Sequence, residues 1–201
     1  MSTIRSICVY CGSSPGADPA FLGAAAAFGK LLARDGVSLV YGGGSNGLMG
    51  ALARSAHEHG GRVIGVIPEF LKERELAFKG ADEMIVTPDM HERKRIMFER
   101  ADAFVALPGG IGTLEELIEQ LTWAQLGRHK KPVLLANING FWEPLIELID
   151  HMKKLGFIHS DLFFDYGVAT KVEDILPKLQ EAIRSRSEAE LVGAEKVIEQ
   201  L

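Results

Sequence analysis

Residues 103–119 read Ala-Phe-Val-Ala-Leu-Pro-Gly-Gly-Ile-Gly-Thr-Leu-Glu-Glu-Leu-Ile-Glu. Ala103 to Leu107 is an unbroken apolar run, as expected of a buried strand, and Leu114, Leu117, Ile118 and Leu121 then recur at helical spacing. Between them stand Pro108 and three glycines, Gly109, Gly110 and Gly112. The unit is a strand, a glycine turn and a helix. Glycine lets backbone come close to a ligand, and the first turn of a helix offers free N–H groups at the positive end of its dipole. An anion belongs at that end, a phosphate above all.

Glu115 and Glu116 occupy the same first turn. Acidic residues there often do no more than complement the helix dipole. A phosphate-binding turn gains nothing from extra negative charge unless the chemistry uses it. Adjacent helical residues diverge by about 100°, so at most one of the pair faces the ligand. Glu116 or Glu115 is the candidate catalytic carboxylate.

The same strand-to-helix unit repeats on either side. Ile4 to Tyr10 reads as a strand, ends in Cys11-Gly12-Ser13-Ser14-Pro15-Gly16, and leads into a helix between Asp18 and Gly36. Ser13 and Ser14 are placed to donate to a ligand, although small turn residues need no such role. Val37 to Tyr41 is a second strand running into Gly42-Gly43-Gly44-Ser45-Asn46-Gly47-Leu48-Met49-Gly50 and a helix to about His59. Gly42, Gly44 and Gly47 fit G-x-G-x-x-G, and Glu69 follows the strand Val63 to Ile67 where a ribose-binding acid of a dinucleotide site would stand.

Pro68 to Gly80 is polar and charged, a solvated connection or short helix unless it folds over a ligand as a lid, which would bring Glu75 inward. Met84 to Val86 is a short strand, and Pro88 and Asp89 start a helix carrying Arg93, Lys94 and Arg95. Such a cluster is commonly a solvated face; here it stands one strand before the Pro108 turn, and arginine offers a bidentate fork for phosphate or ribose oxygens. Pro132 to Ala136, Phe141 to Leu155, Phe163 to Ala169 and Val172 to Arg184 continue as strand, helix, strand and helix. This alternation predicts one α/β domain over residues 1–185, a doubly wound, mostly parallel sheet with helices on both faces in the Rossmann manner, and a helical tail over 186–201. In such folds ligands bind at the carboxyl ends of the strands where strand order reverses, so the turns at Cys11, Gly42 and Pro108 can share one site.

The 201 residues are 47% apolar with mean hydropathy +0.09, ordinary for a globular chain, and carry a net charge of −5. Acidity argues against nucleic acid as a partner and for a small-molecule ligand. No run is long enough to span a membrane and no signal core follows a basic N-terminus, so the expected location is cytoplasmic. Cys8 and Cys11 have CxxC spacing, but strand residues three apart face opposite ways and no second pair completes a zinc site. No metal or cofactor is expected.

Together, Gly42-Gly43-Gly44 with Gly47-Leu48-Met49-Gly50, Met90-His91-Glu92-Arg93-Lys94, and Pro108 through Glu116 resemble the Lonely Guy family of cytokinin-activating nucleoside 5′-monophosphate phosphoribohydrolases. Cys11-Gly12-Ser13-Ser14 is similar too, and the likeness covers roughly residues 4–180. The resemblance implies hydrolysis of the N-glycosidic bond of an adenine-type nucleotide to free base and ribose 5-phosphate. It implies Arg93 and Glu116 as the catalytic pair, Gly109, Gly110, Ile111, Gly112 and Thr113 as the phosphate loop, and Lys94, Glu75 and Thr122 as substrate contacts. Ser13, Gly43 and Gly44, from the other turns at that edge, complete the candidate set. A homodimer with sites near the interface is implied as well. The label lysine decarboxylase, attached to some such proteins, finds no recognisable pyridoxal phosphate site here.

The chemistry fits the residues independently. Cleaving a ribosyl C–N bond passes through an oxocarbenium-like state, which a carboxylate such as Glu116 stabilises while orienting or deprotonating water, and Arg93 can hold the sugar or phosphate against it. Two other readings compete. The fold could carry a phosphorylated cofactor without turnover, as in molybdenum-cofactor carriers, or the Gly42 to Gly47 fingerprint with Glu69 could serve a dinucleotide-dependent oxidoreductase.

Overall fold

In a computed structural model of the protein, residues 4–72, 76–158 and 166–185 are described. Glu75, the start of the predicted strand from Phe163 and the 186–201 tail lie outside them. Seven strands alternate with helices: β1 (Ser6–Tyr10), α1 (Pro19–Arg34), β2 (Ser38–Tyr41), α2 (Gly47–Glu58), β3 (Val63–Pro68), α3 (Glu69–Lys72), β4 (Glu83–Thr87), α4 (Met90–Glu99), β5 (Ala103–Ala106), α5 (Ile111–Gln125), β6 (Val133–Ala136), α6 (Glu143–Lys154) and β7 (Gly167–Ala169). A final helix, α7, is described over 175–185.

Local chemistry sets the boundaries. Asp18 caps α1 by accepting from the Ala20 amide at 2.9 Å, and Pro19 takes the first helical position, where its missing N–H costs nothing. Asp89 caps α4 in the same way, accepting from Glu92 at 2.8 Å. Among the described residues of the charged stretch after β3 stands the short α3, with Glu69 paired to Lys72 at its surface and outside the cleft lining described below.

All strands pair in parallel, in the order β4-β3-β2-β1-β5-β6-β7. Central strands covered on both faces must be apolar throughout, which is why β3 and β5 read as continuous hydrophobic runs and are buried end to end. One core packs α1, α2 and α7 on the sheet through Phe28, Leu32, Leu52 and Leu176; the other packs α4, α5 and α6 through Met97, Leu117, Leu121 and Trp142. Cys8 belongs to the second core and Cys11 to the first, on opposite faces as strand parity requires, and both are free thiols. Among the described residues no helix is long and apolar enough to cross a membrane.

The order reverses at β1, whose neighbours are β2 on one side and β5 on the other. Chains leaving β1 and β5 diverge to opposite faces, and a crevice opens between their loops.

Candidate active site

A cleft of about 320 Å³, the scale of one small-molecule ligand, opens at that crevice. Its walls come from all three predicted turns: Tyr10, Cys11, Gly12 and Ser13 after β1, Gly42 and Met49 after β2, and Gly110, Ile111, Gly112 and Thr113 after β5. Arg93 and Met90 of α4, Leu71 of α3, and Glu115 and Glu116 of α5 complete it. A second cavity of about 240 Å³, walled by Phe21, Leu48 and Phe141, adjoins it across Gly12, Ser13 and Gly110.

The phosphate end follows from how α5 begins. Its N-cap is Gly110, which has no side chain to satisfy the first amides, and Leu114 is the first residue to donate back into the helix, to the Gly110 carbonyl at 3.0 Å. The amides of Ile111, Gly112 and Thr113 therefore face no acceptor among the described residues. Nothing lies within 4 Å of where a Cβ would stand on Gly110 or Gly112. Gly109 differs: a Cβ there would collide with Thr113 and stand 2.8 Å from the Gly12 amide, which itself donates to Pro108 at 3.1 Å. So Gly109 brings the β1 and β5 loops together, while Gly110 and Gly112 open toward a ligand.

Arg93 is only 6% exposed and its guanidinium is held from behind. Nε donates to the Val66 carbonyl of β3 at 3.1 Å, Nη2 to the Gly42 carbonyl at 3.2 Å and Nη1 to Sδ of Met90 at 3.7 Å, with Nη1 also 4.0 Å from Oε1 of Glu116. Glu116 is 9% exposed, one turn into α5. A buried carboxylate and a buried guanidinium thus meet beside the open amides, the guanidinium fixed by two backbone carbonyls. Burial first, then the neighbouring Cys8 and Glu116, pushes the Tyr10 hydroxyl well above its ordinary range. Burial likewise raises the Cys11 thiol, with Glu116 adding to it. Both cleft-wall groups stay neutral, so the charged side chains lining the cleft among the described residues are Arg93, Glu115 and Glu116.

The glycine fingerprint after β2 has another use. A Cβ on Gly42 would collide with Arg93 Nη2, and one on Gly47, whose φ is +53°, would strike the backbone of Ser13 and Ser14. The amides of Leu48 and Met49 at the start of α2 both donate to the Gly12 carbonyl, at 3.0 and 3.3 Å. This helix end is already occupied by the protein's own backbone, which removes the dinucleotide reading. Gly43 packs on Ile67 and Gly44 pairs with Ala77; neither lines the cleft.

Lys94 does not line the cleft either. Its ammonium sits 2.7 Å from Glu115 and 2.9 Å from Glu119. Burial works against that charge, but the hydrogen bonds to Glu115 and Glu119 outweigh it and leave Lys94 titrating above its ordinary value. Thr122 is exposed, donates to the Ile118 carbonyl at 2.7 Å, and stands eleven residues beyond Ile111, about 16 Å along the helix. It cannot touch a ligand held at the start of its own α5. Tyr10, Met49, Leu71 and Met90 line the cleft without having been singled out as ligand contacts; the signal available was their position at a strand end or near the start of a helix.

The chain matches the family model described as possible lysine decarboxylase over residues 49–179. It is 48% identical over 182 residues to the cytokinin riboside 5′-monophosphate phosphoribohydrolase LOG of Oryza sativa subsp. japonica, covering 90% of this chain and 75% of that one. A phosphoribohydrolase of the same description from Arabidopsis thaliana is 45% identical over 180 residues, covering 90% and 84%. Among solved structures, a molybdenum cofactor carrier protein from Chlamydomonas reinhardtii superposes with TM-score 0.67 at 25% identity, over 91% of this chain and 99% of that one. The molybdenum cofactor binding protein of Rippkaea orientalis gives 0.66 at 24%, with the same coverage.

Proposed function

Since the chain belongs to the family of cytokinin riboside 5′-monophosphate phosphoribohydrolases, which the possible lysine decarboxylase model also spans, we propose that it hydrolyses the N-glycosidic bond of adenine-type nucleoside 5′-monophosphates. Water adds to C1′ of the ribose, the C1′–N bond breaks, and free base and ribose 5-phosphate leave. The observation that carries this reading is the Arg93–Glu116 pair, 4.0 Å apart and buried beside the open amides of Ile111, Gly112 and Thr113. Those amides take the 5′-phosphate, which sets the sugar against Glu116. Glu116 stabilises positive charge growing at C1′ and takes a proton from the attacking water, while Arg93 holds substrate oxygens. The proton lost from water balances the one gained by the departing base.

Decarboxylation through pyridoxal phosphate requires a lysine to form the Schiff base, and no lysine lines the cleft among the described residues. The fold likeness to molybdenum-cofactor proteins supports the shared architecture. A carrier would bind nucleotide and return it unchanged.

A homodimer completes the proposal. Ile111, Ile118 and Leu126 are exposed on one side of α5, and Thr122 lies on the same stripe. A second copy packed there would bring its Thr122 toward a cleft this chain's own Thr122 cannot reach. Two free buried cysteines fit a reducing, cytoplasmic setting. The test is incubation with AMP and with isopentenyladenosine monophosphate in the presence of a chelator, with chromatography of the products. Free base and ribose 5-phosphate are expected, and the two rates rank the bases; bound but intact nucleotide would overturn the enzyme in favour of a carrier.

A further inference from the structure

Consecutive glutamates begin α5 under an anion-binding turn, and consecutive cations of α4 answer them: Arg93 faces Glu116 at 4.0 Å, and Lys94 meets Glu115 at 2.7 Å. Lys94 also meets Glu119 at 2.9 Å, and its side chain is 13% exposed. Glu115 lines the cleft and Lys94 does not. To touch a substrate, the ammonium would have to leave two carboxylates, one of which, Glu119, keeps its other oxygen buried with no hydrogen-bond partner. That carboxylate would then stand uncompensated in a half-buried setting, which is costly.

We infer that Lys94 is a positioning residue that acts through Glu115 rather than a substrate contact. It draws the Glu115 carboxylate toward α4 and offsets its charge at the rim, so an incoming 5′-phosphate meets the open amides of α5 with less negative charge opposing it. The identity of the substrate rests on the hydrolase reading above; the charge compensation rests on the geometry alone.

The test compares the parent with Lys94→Met, Glu115→Gln and the double variant, by calorimetric affinity for ribose 5-phosphate and by KM and kcat for AMP at low and high salt. Lys94→Met should weaken phosphate binding and raise KM roughly tenfold at low salt, with a smaller loss at high salt, while kcat changes little. Adding Glu115→Gln should restore both to within about threefold of the parent, because the opposing charge is gone. A loss that persists undiminished in the double variant would mean direct contact and overturn the inference, as would equal affinities throughout. If the lone lysine variant fails to fold because Glu119 is orphaned, Lys94→Met with Glu119→Gln replaces it as the starting point. Ribose 5-phosphate affinity needs no turnover. A parent that binds it without releasing base from AMP would overturn the hydrolase reading and leave this one standing.

Discussion

The turns at Gly42–Gly50 and Pro108–Thr113 are written in the same vocabulary, an apolar strand, several glycines and a helix, and they serve opposite purposes. In the first, the glycines make room for the protein itself: Arg93 fills the space beside Gly42, the Ser13 backbone fills the space beside Gly47, and Gly12 takes the first amides of α2. In the second, Gly110 and Gly112 face open space and the first amides of α5 have no acceptor among the described residues. Glycine spacing therefore reports that something must come close, and leaves open whether it is ligand or chain. What occupies the missing Cβ decides.

The contrast can be broken most severely at the carboxylate the open turn presents. Glu116→Gln should keep nucleotide binding and lose about 10²–10⁴ in kcat, measured by base release; turnover within threefold of the parent would remove Glu116 from the chemistry. Next comes the closed turn. Gly42→Ala should displace Arg93, lowering kcat by about 10² and unfolding stability by about 1–3 kcal/mol, so that activity and thermal midpoint fall together. An unchanged midpoint with full activity would show that Arg93 does not depend on that gap.

Gly112→Ala is the sharper counterpart in the open turn. Its Cβ meets nothing in the protein, so the thermal midpoint should stay within about 2 °C of the parent, while KM for nucleotide rises severalfold as the methyl group crowds the phosphate. A fall in stability equal to that of Gly42→Ala would erase the distinction between the turns. The smallest effect is expected from thiol alkylation at pH 8. Burial raises both Cys8 and Cys11 well above the ordinary thiol range, so both remain protonated and modification should lower activity less than about twofold over the time that exposed thiols need to react.

Much of the fold could be read in advance because parallel strands covered on both faces cannot hide their composition. β3, β5 and β6 are plain apolar runs, and the helices between them carry caps and stops such as Asp18, Pro19 and Asp89. The stretch after β3 resisted because four helical residues leave too little periodicity to separate a helix from a solvated loop. At the site, Ser13 and the loop from Gly110 to Thr113 were visible at strand ends, Arg93 on α4 and one of Glu115 and Glu116 as residue types, with the family resemblance choosing Glu116, and all of them line the cleft. What local sequence could not show were pairings across long chain separations. Arg93 lies 51 residues from the Gly42 carbonyl it grips, and Lys94 lies 21 from Glu115. Nor could it show which way each of two adjacent side chains on α4 turns, Arg93 inward to the cleft and Lys94 sideways to α5.

The grip on Arg93 has one more consequence. Its guanidinium is tied to two neighbouring strands, through Gly42 after β2 and Val66 in β3, so the position of Nη1 follows the twist between those strands. The arginine behaves as a strain gauge mounted on the sheet. A small rotation of β3 against β2, far short of melting, swings Nη1 away from Glu116, and under mild denaturant or heat catalytic output should fade while circular dichroism still records an intact fold.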